Sequence, residues 1–133
     1  MKGIRKILKN QQGQALVELA LVLPVLLMIL MGIIEFGRVF GASMVLNSLS
    51  REAARYGVVG YDDLQIHALV TERRTWLDDE KLVVVISPVN GERDKGDPLQ
   101  VQIDYSLDLI TPIVGDILPN PVPLSAQCIM RME

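Results

Sequence analysis

Residues that carry chemistry are scarce in this chain. Its one cysteine, Cys128, cannot form an intramolecular disulfide and reads as a small apolar core residue. Its one histidine, His67, has no second histidine or cysteine with which to share a metal, which leaves it a structural or surface role. No serine, cysteine and histidine set stands at a plausible catalytic spacing, and no glycine loop precedes a helix in a phosphate-binding context. Asp104 and Asp108 alternate on what reads as a strand face, and Glu72 beside Arg73 and Arg74 reads as ordinary helix surface. The expectation is a protein that is not an enzyme and uses no cofactor and no metal. A basic footprint is missing as well. Formal net charge is −3, and removing Lys2, Arg5, Lys6 and Lys9 takes it to −7, so nucleic acid is not an expected partner.

Charge is also missing from the longest run. From Leu19 to Ile34 no residue is ionisable. With Ala15 to Val17 added, the apolar stretch reaches the roughly 20 residues that a helix needs to cross about 30 Å of hydrocarbon. Glu18 and Glu35 frame it, roughly 25 Å apart along a helix, so each can sit near a headgroup region. Lys2, Arg5, Lys6 and Lys9 precede it with no acid before Glu18, a bias that holds the N-terminus in the cytoplasm. The expectation is a single-pass membrane protein, with lipid around the span and the rest of the chain outside. A cleavable secretory signal also begins basic and then turns apolar. Here the run is too long for an ordinary signal core and leads into Glu35-Phe36-Gly37-Arg38, not a small-residue cleavage site. Inside the span, Pro24 removes the hydrogen bond to the Ala20 carbonyl and should kink or loosen the helix.

The basic leader stops at Gly13; then come Gln14-Ala15-Leu16-Val17 and Glu18 at the head of the apolar helix. Glycine offers no side chain to obstruct approach to its peptide bond, and an extended leader can enter a peptidase site that a continuing helix could not. Taken without further context, Gly13 is a flexible joint and Glu18 an interfacial residue that reaches the headgroups.

The block GQALVELALVLPVLLMILMGIIEFGRVF from Gly13, with SREAARYG, GDPLQVQIDYSLDLITPI and the terminal MRME, resembles the TadE-like pseudopilins of tight-adherence (Flp-type) pilus systems. The resemblance covers nearly the whole chain, and its N-terminal block is the most specific part. It implies cleavage by a prepilin peptidase between Gly13 and Gln14, on the cytoplasmic side, which leaves the helix on the protein. It implies a part for Glu18 in processing or assembly. The implied partners are other pilins or pseudopilins and the inner-membrane platform of the pilus. It also makes Pro24 a weak point that could stretch or melt when subunits enter a fibre. Leu19 follows Glu18 where the major Flp pilins carry Tyr, and those pilins are far shorter. Both departures imply a minor component.

Beyond the span, Val39, Ala42, Leu46, Leu49, Ala53 and Tyr56 recur at alternating three and four, one apolar stripe of a helix reaching about residue 57. Arg38, Asn47, Ser50, Arg51, Glu52 and Arg55 take its other sides. Gly57 and Gly60 supply positions that end a helix. A second short helix is expected over 62–77, capped by Asp62 or Asp63 and burying Leu64, His67 or Ala68, Leu69 and Trp76. The period then changes to two. Strands are expected over 82–87, 99–109 and 122–132, with a polar loop around Asn90-Gly91 and Lys95-Gly96-Asp97. On the second strand Leu99, Val101, Ile103, Tyr105, Leu107 and Leu109 share one face; on the last, Leu124, Ala126, Cys128, Met130 and Met132 do. Three antiparallel strands with one apolar face need a cover, and the exposed half of the long helix can supply it.

The expected fold class is α+β: a leader over 1–13, a transmembrane helix over 14–37 and a small extracytoplasmic, pilin-like domain over 38–133. Three functions stay open at this point. The chain is a processed pseudopilin, an uncleaved single-pass anchor or adaptor with an outer protein-binding domain, or a secreted small domain.

Overall fold

The computed structural model describes residues 11–133. Its first element, α1, runs Gln11–Val59 and contains Pro24 without interruption. The chain forms two compact units, which divide between Glu35 and Phe36. The first is α1 up to Glu35. The second holds the remainder of α1, α2 (Asp63–Arg73), a 3-10 turn (Asp79–Lys81), β1 (Leu82–Ser87), β2 (Pro98–Leu107), the short α3 (Pro112–Gly115) and β3 (Val122–Arg131). The three strands form one antiparallel sheet in the order β1-β2-β3, so the α+β class read from the sequence is the one observed.

Within the second unit the long helix carries the stripe its spacing predicts. Ala42, Leu46, Leu49 and Ala53 are buried, and Val39 and Tyr56 pack against the same cluster. Ser50 departs from expectation. It is buried (1% exposed) rather than on the polar side. Its Oγ donates to the Asn47 carbonyl at 3.1 Å, so the hydroxyl is satisfied within the helix and needs no water.

β2 is the central strand, and Leu99, Val101, Ile103, Tyr105 and Leu107 on it are all buried. Register pairs Leu82 with Tyr105 on one side and Leu99 with Met130 on the other. Ile86 and Ala126 are buried beside these residues, and Leu82, Val84, Leu124, Cys128, Met130 and Met132 join the core partly buried. Helix stripe and sheet face thus form one apolar cluster, the usual way for an amphipathic helix and a one-sided sheet to escape water. β2 ends at Leu107, two residues earlier than its alternation suggests. Leu109 stays buried, but its N–H donates to Asn120 Oδ1 at 3.1 Å instead of to a strand.

Helix ends follow local chemistry. Of the two candidate stop glycines, only Gly60 is left-handed, at φ +106°. Its N–H donates to the Gly57 carbonyl at 3.1 Å and that of Tyr61 to Tyr56 at 3.3 Å, the paired bonds of a Schellman terminus. Gly57 remains helical and buried. α2 opens on Asp62, whose carboxylate accepts from the Gln65 N–H at 2.8 Å while the Gln65 side chain accepts from the Asp62 N–H at 3.1 Å.

α2 is shorter than expected and turns a different face inward. Ile66, Leu69 and Val70 are buried, whereas Leu64 is 80% exposed and Trp76 52%. The cause lies past Arg73. Thr75 takes φ +59°, and the chain reverses through a bond from the Leu77 N–H to the Arg74 carbonyl at 3.1 Å. That reversal leaves Trp76 outside and sends Leu77 into the core.

The β1–β2 loop is polar, with Gly91 and Gly96 at positive φ. Arg93 anchors it. Its side chain is 5% exposed, pairs with Asp63, and donates to the carbonyls of Pro88 at 2.9 Å and Tyr61 at 3.2 Å.

Candidate processing and assembly site

Gly13, Gln14, Glu18 and Pro24 all lie on the first unit. The leader cations Lys2, Arg5, Lys6 and Lys9 are outside the described residues. Gly13 is already helical in α1 rather than part of an extended leader. Gln14 and Ala15 are good helix formers, and the roughly 1 kcal/mol that a glycine costs a helix is too little to break it there. An added Cβ at Gly13 would meet nothing within 4 Å. The Gly13–Gln14 peptide is open on that side.

Glu18 follows Gln14 by four residues, one helical turn or about 6 Å of rise, and the two share a face. Both are exposed, as are Gly13 and Pro24. Around and beyond them the helix presents only apolar surface. From Leu16 to Ile34 the large side chains are between 45% and 71% exposed. Nothing among the described residues covers this surface, and its extent is far beyond what a soluble monomer leaves in water. Among the described residues this is the one helix long and apolar enough to cross a membrane. Glu35, at the other end of the run, is 3% exposed between Ile34 (55%) and Phe36 (71%).

On the second unit no comparable constellation forms among the described residues. Among the described residues no group of three His, Cys, Asp or Glu could hold a metal. His67 is exposed, and Cys128 is half-buried in the core. Asp104 accepts from Gln102 Nε2 at 3.0 and 3.1 Å, and Asp108 pairs with Lys81, a contact that holds the lysine above its ordinary pKa of 10.5.

A single long apolar helix running into an α+β unit fits a single-pass membrane protein. A family model described as TadE-like protein matches residues 13–55, so over that stretch the chain is similar to TadE-like proteins. No curated protein matches the chain, and no solved structure does. The match begins at Gly13 and takes in Gln14, Glu18 and Pro24 as well as most of the stripe that covers the sheet.

Proposed function

We propose that the chain is a pseudopilin, a minor pilin-like structural protein of a tight-adherence pilus, cut by a prepilin peptidase between Gly13 and Gln14. The observation that carries this is the start of the TadE-like match at Gly13, the residue where the basic leader gives way to the apolar helix. The exposure of Gly13 supports it, because an added Cβ there would meet nothing within 4 Å and a peptidase can approach the bond. The protein lies in the bacterial inner membrane with its N-terminus in the cytoplasm and residues 38–133 outside, and it acts by binding rather than by catalysis. Its partners are the peptidase, other pilins or pseudopilins, the inner-membrane platform of the pilus and lipid.

The helical state of Gly13 favours a second reading, an uncleaved single-pass anchor whose outer unit binds another protein. Intact mass of the chain recovered from membranes separates the two. A start at Gln14 is expected, and a start at Met1 supports the anchor. Gly13→Leu leaves the span untouched, so it should insert at full length and stay uncut; normal processing of that variant overturns the proposed cleavage.

A further inference from the structure

Several cations of the second unit each have a carboxylate beside them: Arg73 pairs with Glu52, Arg74 with Asp79, Lys81 with Asp108 and Arg93 with Asp63. Arg51 and Arg55 differ. Both are exposed, and among the described residues neither is ion-paired or hydrogen-bonded. Four positions apart on α1, they share a face on which like charges repel, a cost that an anion placed between them would remove. Glu52 is the nearest acid in sequence, and Arg73 already holds it.

The two arginines line a cleft of about 560 Å³ together with Ser48, Glu52, Tyr56 and Met130. Met130 belongs to β3 and pairs with Leu99 of β2, which is fully buried against Gly57. The cleft is therefore closed toward β2 and opens along the other side of β3, an edge of the sheet. Just past that strand Met132 donates to the Asp97 carbonyl at 2.9 Å, so even-numbered positions turn their backbone toward β2. The odd-numbered ones, Ser125, Gln127 and Ile129 among them, turn their N–H and C=O groups outward. From Val122 to Met130 the strand carries no charged side chain of the kind that commonly blunts an edge.

We propose that the β3 edge and the Arg51–Arg55 pair form one docking cleft for an extended acidic segment of a partner protein. Added as a fourth strand, the segment bonds through its backbone to the outward row of β3, and every second side chain points to the inner side of the sheet, where α1 packs. Carboxylates at those positions meet two guanidinium groups that can hold them bidentately. The backbone row selects a peptide over other anions, and the arginines select an acidic one. A second copy of the chain does not supply it, because its own edge strands, β1 and β3, contain no Asp or Glu. The cleft lies wholly within the second unit, so the inference stands whether or not the chain is cut at Gly13.

The probe is a fluorescent peptide of alternating glutamate and valine, titrated by anisotropy against the full chain in neutral detergent micelles. It should bind, and more weakly as salt rises. Arg51→Glu with Arg55→Glu should weaken it about tenfold or more and make the chain bind a lysine–valine peptide instead, while Lys95→Glu in the β1–β2 loop changes nothing. The glutamate–valine peptide methylated at every backbone nitrogen keeps its carboxylates and loses its donors; it should also bind the parent about tenfold more weakly or worse, an arm that needs no variant to fold. Absence of binding, equal binding by the double variant, or equal binding of the methylated peptide overturns the proposal. So does sedimentation of the chain as a dimer that excludes the peptide, which would assign the edge to a second copy.

Discussion

Gly57 and Leu99 meet with no room for a methyl group between helix and sheet. A Cβ on Gly57 would overlap Leu99 Cδ2 and stand 3.3 Å from Ile66 Cδ1. Leu99 and Ile66 are both fully buried, so neither has free space to move into. Gly57→Ala gains roughly 0.5–1 kcal/mol of helix propensity, while overpacking a close-packed core costs about 1–3 kcal/mol. The second effect is the larger. A chain beginning at Arg38 should therefore lose about 1–2 kcal/mol on Gly57→Ala, read as a lower urea midpoint at unchanged slope. Gly41→Ala is the control, since its Cβ would make only an ordinary 3.7 Å contact with Trp76 and should hold or raise the midpoint.

Tyr105 and Gln102 test the two faces of β2. Tyr105 is 6% exposed and its Oη accepts from the Asp78 N–H at 3.3 Å, whereas Gln102 is half-exposed on the opposite face. Tyr105→Phe should cost about 0.5–1.5 kcal/mol through the lost hydrogen bond. Tyr105→Asp should unfold the unit, because it leaves a charge unpaired in the core. Gln102→Asp should be tolerated. Circular dichroism melts of the three variants check this, and equal damage from Tyr105→Asp and Gln102→Asp would sink the face assignment.

These positions also show what sequence alone could and could not convey. The faces of β2 and α1 were legible because period and burial coincide from Leu99 to Leu107 and from Ala42 to Ala53. The candidate site was legible as a pattern at Gly13 and Glu18. The helical state of Gly13 was not, since it depends on a balance of small propensities. Gly57 and Gly60 look alike in sequence, and only the approach of Leu99 separates a packing glycine from a terminating one. α2 was misread because Leu64 and Trp76 are as apolar as Ile66 and Val70. Which pair is buried depends on the reversal at Thr75, a conformation that threonine does not advertise. Arg93 gave no signal, because its partners Asp63 and Tyr61 come together only after the loop folds back.

Lys81 and Asp108 give a pH dependence with a definite sign. The side-chain bond to Asp108 holds Lys81 above 10.5, more than its slight desolvation lowers it. A base with a raised folded pKa contributes stability that is complete below its unfolded value and lost as pH rises through the folded one. From neutral pH upward, the difference in urea midpoint between the parent and Lys81→Gln should stay constant, then close only above pH 10.5. The difference should be small throughout, since both partners are solvent-accessible. A difference that closes between pH 7 and 9 would mean that another group governs the contact.

Glu18 is the residue on which assembly should depend. Cleavage at Gly13–Gln14 frees an α-amino group one helical turn before it, on the same exposed face of α1. A carboxylate within an apolar setting costs several kcal/mol unless it finds a partner, and that amine is the cation at its depth. Within one helix the two are a turn apart along the axis. Between parallel helices staggered by about one turn, the amine of one subunit comes level with the carboxylate of the next, so the pair can fix the stagger. Glu18→Gln keeps the size and hydrogen bonding of the side chain and removes only its charge. The variant should insert normally, be cut at least in part, and fail to restore pili in a strain that lacks the native protein. Insertion is followed by membrane fractionation, cleavage by intact mass and piliation by electron microscopy of the same cultures. Full piliation with the Gln variant would leave Glu18 a residue that merely reaches the headgroups, and the stagger would then have to come from the apolar surface between Leu16 and Ile34.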